Sequence, residues 1–286
     1  MDMNHLLKEA AVDPETSLVL RHRPKEPELR RVLPWLVEER HAVFNAYQQT
    51  QSPRTERQMR RATHVVSLIG DQPGRGVFVG IYRMGKPPRN TSRADRKRIP
   101  AHCELEKYGH PDHPGQQLWF DLERMEAFSH WIGKLIVGWP PPEISWSRWS
   151  GRNTFDIVAI LEESLFCQHM PDWKSLVLSW NDLQVMPTTW KAALSQWLGV
   201  YFILDISDGR GYVGSAYGKD NIFGRWGNYR RTGHGGNKLL RSRNPENLRF
   251  SILERLSPDT PPDEVIRRET TWKLRLHTQT QGLNDN

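Results

Sequence analysis

The C-terminal third of the chain alternates apolar and polar positions in a pattern that predicts a small antiparallel sheet. Val200, Phe202 and Leu204 share one face of a strand from Gly199 to Asp205, and Tyr201 and Ile203 share the other. Tyr212-Val213-Gly214 opens the return strand. Asp208-Gly209 lies between them and signals a two-residue turn, because glycine accepts the positive φ such a turn requires. A hairpin centred there pairs Asp205 with Tyr212 and Tyr201 with Ala216. The two tyrosines then face the same way, separated by roughly 13 Å along the strand. Leu248, Phe250 and Ile252 alternate with Arg249 and Ser251 as a third strand.

Helical periods surround this sheet. Thr188 or Thr189 caps a helix through Trp190, Ala193, Leu194 and Trp197. Asp220 or Asn221 caps a shorter one carrying Ile222, Arg225, Trp226 and Tyr229, in which Arg225 and Tyr229 share a face. Gly224 and Gly227 weaken that helix, so something beyond propensity must hold it. After Pro261-Pro262 a last helix opens with Asp263 and Glu264, which suits the helix dipole. Its stripe of Val265, Glu269, Trp272 and Leu276 is apolar except for Glu269. A carboxylate set against a core must protonate, pair with a neighbour such as Arg268 or Lys273, or bind a cation.

The first half patterns differently. Residues 1–30 are mixed and charged, with Arg21, Arg23 and Lys25 around Pro24, and read as a loosely held arm. Leu36, Val43, Phe44 and Tyr47 recur at helical spacing after Pro34 and predict one amphipathic helix. Arg54, Arg57, Arg60 and Arg61 form a basic cluster, read as a solvated helix face ahead of a phosphate contact. Strand-like runs follow at residues 65–69, 76–82, 118–120 and 135–137, with a Pro- and Arg-rich loop over 84–100. The pattern predicts an α+β chain in three parts: an arm (1–30), a β-rich, tryptophan-rich domain (31–185), and a compact three-stranded antiparallel sheet flanked by helices (186–286).

Composition narrows the partners. The chain has 286 residues and a formal net charge of +7, which favours a polyanionic ligand. Cys103 and Cys167 are the two cysteines, so no disulfide framework is implied and a reducing cytoplasm is the default expectation. The start of the chain lacks the basic and apolar regions of a secretory signal, and no apolar run approaches the ~20 residues that span a bilayer. His102, Cys103, His110 and His113 lack the paired spacing of a zinc site. The twelve tryptophans read as packing groups before base-stacking platforms.

Gly199-Val200-Tyr201, Tyr212-Val213-Gly214, Arg225 with Tyr229, Glu269 with Trp272 and Lys273, and Gly282-Leu283-Asn284 occur in an order that resembles the GIY-YIG nuclease family over residues 197–286. Valine stands for isoleucine in both name-giving motifs. A literal Gly80-Ile81-Tyr82 in the first half has no Tyr-x-Gly at hairpin distance and reads as an ordinary strand.

The resemblance implies a metal-dependent endonuclease that hydrolyses DNA with Mg²⁺ (or Mn²⁺). Glu269 would be the metal ligand, and Tyr201, Tyr212, Arg225, Tyr229 and Asn284 would line the site. Arg225 would bind a phosphate oxygen, and Tyr201 or Tyr212 would take the proton from water. Arg230, Arg231, Lys238, Arg241 and Arg243 flank a glycine-rich stretch suited to nucleic-acid contact. A dimer on substrate is expected for double-strand cleavage.

Three functions compete on this basis. They are restriction or anti-phage defence with the target chosen by the β-rich domain, a repair or structure-specific nuclease on damaged or branched DNA, and a non-catalytic nucleic-acid-binding module. By analogy of composition, the β-rich domain suits a PUA-like fold that accepts a flipped or modified base.

Overall fold

A computed structural model describes residues 1–285 and divides the chain into two compact units, Met1–Gln168 and one from His169 onward. The division falls well before the expected boundary at 185/186. The stretch between forms β10 (Val177–Ser179), which pairs with a strand of the second unit, and α7 (Trp180–Gln184), so it belongs to that unit's sheet.

The first unit is built on a mixed seven-stranded sheet. Its strands are β1 (Ser17–His22), β2 (His64–Ile69), β3 (Arg75–Met84), β6 (Leu122–Arg124), β7 (Leu135–Gly138), β8 (Ser147–Trp149) and β9 (Ile157–Ile160). The order is β8-β1-β2-β3-β7-β9, with β6 also pairing β3 and β1 lying parallel to β2. A separate ribbon joins β4 (Arg89–Thr91) to β5 (Gln117–Trp119). Helices α1 (Met3–Glu9), α2 (Pro27–Glu39), α3 (His41–Gln49), α4 (Pro53–Met59), α5 (Arg93–Arg96) and α6 (Pro100–Glu106) complete it.

Residues 1–30 are not a loose arm. Met3, Leu6 and Leu7 of α1 pack with Val19, Val66, Phe78 and Trp139 on one face of the sheet, and β1 is buried at every position. Leu18-Val19-Leu20 is the continuous apolar run of a strand covered on both faces. Arg21, which marked the segment as charged, is 3 % exposed. Its guanidinium donates to the carbonyls of Arg75 and Gln72 and pairs with Glu143. The single helix expected after Pro34 is two, α2 and α3, broken at Arg40, whose backbone leaves the helical region.

The second unit holds a four-stranded antiparallel sheet where three strands were expected. Its order is β10-β13-β11-β12, with β11 Leu198–Asp205, β12 Gly211–Ala216 and β13 Leu248–Leu256. Helices α8 (Thr188–Gln196), α9 (Asn221–Thr232) and α10 (Pro262–Arg275) flank it. The α9 helix survives its glycines because Ile222, Trp226 and Tyr229 are buried in the same core as Tyr201, Ile203 and Phe250.

The β11–β12 register differs from the expected one by two residues: Ile203 faces Tyr212, and Tyr201 faces Gly214. The turn is wider than Asp208-Gly209 because Asp205, 1 % exposed, caps the loop and pairs with Arg243, which also holds Asp208. A shift of two preserves which face each residue occupies. On the other side of β11, the pairing with β13 contains a bulge between Val200 and Tyr201. Gly199 sits there so close to β13 that a Cβ would lie 2.1 Å from the Glu254 carbonyl oxygen.

That contact is with backbone, so Gly199→Ala should force the strands apart. Loss of about 1–3 kcal/mol is expected for the second unit, read as an earlier midpoint for its transition in urea. An unchanged midpoint would mean the bulge is not packed as described.

Candidate active site

Because Tyr201 faces Gly214, it lies diagonally next to Tyr212, and the two ring centroids are 6.4 Å apart. Gly214 makes this possible: a Cβ there would stand 2.4 Å from the Tyr201 hydroxyl and 2.8 Å from the Tyr212 ring. From α9, Tyr229 closes a triangle of rings, 6.1 Å from Tyr201 and 6.4 Å from Tyr212. Tyr201 and Tyr229 share a hydrogen bond between their hydroxyls at 3.1 Å. Arg225, one turn earlier on α9, donates from Nε and Nη2 to the Tyr201 oxygen at 3.4 and 3.3 Å. Its guanidinium also lies 5.9 Å from the Tyr229 ring centroid.

Tyr201 and Tyr229 are fully buried, whereas Tyr212 is 9 % exposed and its hydroxyl makes no hydrogen bond among the described residues. Burial pushes the Tyr201 phenol well above the ordinary tyrosine value, and the Arg225 cation only partly opposes this. Burial raises Tyr229 as well. Both are therefore neutral phenols beside Arg225, which is bonded to the Tyr201 oxygen. Arg225 is half-buried, and no carboxylate pairs with it among the described residues. It is a fixed cation held by one neutral oxygen and a ring face.

Glu269 is not in this cluster. Its carboxylate pairs with Lys273 at 2.9 Å and accepts a hydrogen bond from the Ser215 hydroxyl. Ser215 follows Gly214, so alternation sends it to the face of β12 opposite Tyr212. Arg268 is engaged instead by Glu264 and Glu254. The side chains of Glu269 and Lys273 are 15 % and 8 % exposed, so this pair is largely screened from solvent. The need for a cation inferred from an unpaired Glu269 is thus already met one helical turn away.

A divalent metal nonetheless fits this carboxylate as a single ligand. Each oxygen has two lone pairs and the protein partners occupy one on each. Magnesium commonly takes one or two carboxylates and keeps its waters. No group of three or more His, Cys, Asp and Glu residues able to hold a metal occurs among the described residues.

Asn284 does not line an open site. It is 4 % exposed, and its amide spends both ends on Val213, accepting from the backbone N–H and donating to the carbonyl at 2.9 Å. Leu283 adds a bond to the Gly211 carbonyl at 2.8 Å. Together they cover the free edge of β12, which would otherwise present unpaired backbone groups.

The proposed nucleic-acid contacts divide. Arg230 and Arg231 are exposed on the last turn of α9, Arg241 is exposed, and Lys238 pairs at the surface with Asp285. Arg243 is committed to the hairpin turn. Ser215 was missed by the motif reading, although its place directly after Tyr-Val-Gly on a strand fixes where its hydroxyl points.

Among solved structures, the chain is similar to a mutant catalytic domain of intron endonuclease I-TevI, at 24 % identity and a TM-score of 0.27, covering 32 % of this chain and 94 % of that one. A structure of the catalytic domain of homing endonuclease I-TevI gives 23 % identity and a TM-score of 0.26, covering 31 % and 98 %. No model of a known protein family matches the chain, and neither does any curated protein. No helix among the described residues is long and apolar enough to cross a membrane.

The tyrosine cluster has a spectroscopic signature. The phenols of Tyr201 and Tyr229 ionise above the ordinary value near ~10. Their contribution to stability is therefore present below that value and lost as pH rises through the folded-state values. In a titration followed by tyrosinate absorbance, Tyr229→Phe should remove amplitude from the late part of the curve. Amplitude lost at the ordinary value would show that the ring is not buried.

Proposed function

We propose that the unit from His169 onward hydrolyses DNA phosphodiester bonds as a metal-dependent nuclease of the GIY-YIG type. The observation that carries this reading is Arg225, a half-buried guanidinium whose polar partner is a phenol oxygen and which has no counter-anion among the described residues. A cation so placed is short of an anion, and a phosphodiester supplies one. The ordered motifs from Gly199 to Asn284 support the same conclusion independently.

In this reading Arg225 holds a non-bridging phosphate oxygen and stabilises the charge that grows on it. Tyr201 and Tyr229 fix the guanidinium through the hydroxyl bonds and the ring contact already described. Tyr212, the phenol of the three that reaches solvent, takes the proton from the attacking water. It can do so only in its phenolate form, because a neutral phenol has no useful basicity toward water. Glu269, on the opposite face of β12, would hold the Mg²⁺ or Mn²⁺, which when bound supplies positive charge to the nucleic acid. Arg230, Arg231, Lys238 and Arg241 would follow the backbone of the nucleic acid.

The Glu269–Lys273 pair favours a second reading, a nucleic-acid-binding unit without hydrolysis, because the acid is already neutralised. Cleavage of plasmid DNA with Mg²⁺ decides between them. Arg225→Met and Tyr212→Phe should each lower kcat by about 10²–10³-fold, with Tyr201→Phe milder because it acts through Arg225. Glu269→Ala should abolish metal-dependent cleavage and leave DNA binding intact. Wild-type protein inert on unmodified, modified, branched and single-stranded DNA would leave the second reading standing. Among active outcomes, the preferred substrate separates defence from repair.

A further inference from the structure

The first unit contains a recess of about 320 Å³, with no counterpart in the nuclease reading. Its walls come from α3 and the turn into α4 (Tyr47, Gln51), from the segment after α6 (His110, His113), from β5 (Gln117), and from Trp146. Its size falls within the range of small-molecule sites. Tyr47 and His110 meet edge to face at 5.8 Å, forming an aromatic wall, with Trp146 half-buried in the lining.

Gln51 gives the recess its chemistry. The residue is 6 % exposed, and its Nε2 donates to the Gln48 carbonyl at 2.9 Å. Its Oε1 is buried with no hydrogen-bond partner. A buried acceptor without a donor is uncommon in folded proteins, and in a recess it is the feature a ligand N–H would satisfy. Tyr47 and His110 present uncharged rings to it at neutral pH. Burial, aided by neighbouring His102, lowers His110 to about 4, and burial also keeps the Tyr47 phenol protonated. The recess therefore suits a neutral planar ring with an N–H edge.

Positive charge lies beside it. Ser52 and Pro53, which also line the recess, lead into α4, and this helix carries Arg54 and Arg57 exposed. Neither forms an ion pair among the described residues. A ring-accepting recess bordered by free cations matches a base swung out of a phosphate chain.

We infer that this recess binds a single unstacked nucleobase presented by a nucleic acid, with Trp146, Tyr47 and His110 contacting the ring and Gln51 Oε1 accepting from its N–H edge. The inference shares with the nuclease reading only the premise that the ligand is nucleic acid.

The test uses the full chain in EDTA, so that hydrolysis plays no part. Fluorescence anisotropy would compare duplexes bearing one bulged nucleotide with the same duplex bearing an abasic bulge. The bulged bases would be adenine, guanine, cytosine, thymine and 5-methylcytosine. At least one base should bind about tenfold tighter than the abasic control. Gln51→Leu and Trp146→Leu should each erase that difference while leaving affinity for the abasic duplex unchanged. Should either variant fail to fold, His113→Ala, at an exposed ring of the same recess, should reduce the difference. Equal affinity for every base and the abasic bulge would overturn the assignment. So would a difference that survives the variants, or competition by free deoxynucleosides with no gain from the bulged duplex. Absence of DNA cleavage would leave this result untouched.

Discussion

The pairing of Tyr201 with Gly214 is the constraint on which the second unit's site depends. A side chain at 214 would occupy the space of the Tyr201 hydroxyl and the Tyr212 ring. With none there, two aromatic residues on neighbouring strands lie over one glycine, and α9 can bring Tyr229 against both. Arg225 follows from the same placement, because its side chain donates to the Tyr201 oxygen that lies over Gly214. The glycine of the motif is thus a packing requirement with a chemical consequence: it creates a triangle of phenols that orients a cation.

Two charged centres packed beside the hairpin, Arg225 on α9 and Glu269 on α10, are handled in opposite ways. Glu269 is compensated internally by Lys273 and Ser215, at a site largely shielded from solvent. Arg225 is compensated by dipoles and a ring face alone. Neutral hydrogen-bond acceptors hold a guanidinium in place without cancelling its charge, so its field remains available to an incoming anion. The asymmetry makes Arg225 the stronger indicator of ligand binding, although the sequence stripe of α10 draws attention first to Glu269.

What the sequence made legible was the set of parts. Helical and alternating patterns located α8, α9, α10 and three of the four strands of the second sheet, β11, β12 and β13, and motif order singled out the phenols and Arg225. What it hid were interactions between distant positions. The hairpin register depends on Asp205 being buried against Arg243, 38 residues away, and no local turn rule contains that contact. The burial of Arg21 depends on Glu143, 122 residues away, so its segment read as a charged arm. Asn284 was assigned to the site because a motif carries it. Its role as cover for the edge of β12 emerges only once that edge exists. The Lys273 partner of Glu269, four residues on along one helix, was one of the two neighbours named from sequence.

The α9 helix ties these pieces into one device. Its inner face carries Trp226 and Tyr229 into the core and sets Arg225 against Tyr201, while its last turn carries Arg230 and Arg231 exposed. Cations at a helix C-terminus are favoured by the dipole, so the outer pair stabilises the helix whether or not a ligand is present. The same element therefore makes two electrostatic contributions, one from exposed charge on its last turn and one from the half-buried guanidinium of Arg225. Those two contributions respond differently to salt, since only the exposed charges lie within the ionic atmosphere. A helix weakened by Gly224 and Gly227 keeps this geometry because its buried ring contacts hold it, with backbone propensity contributing little.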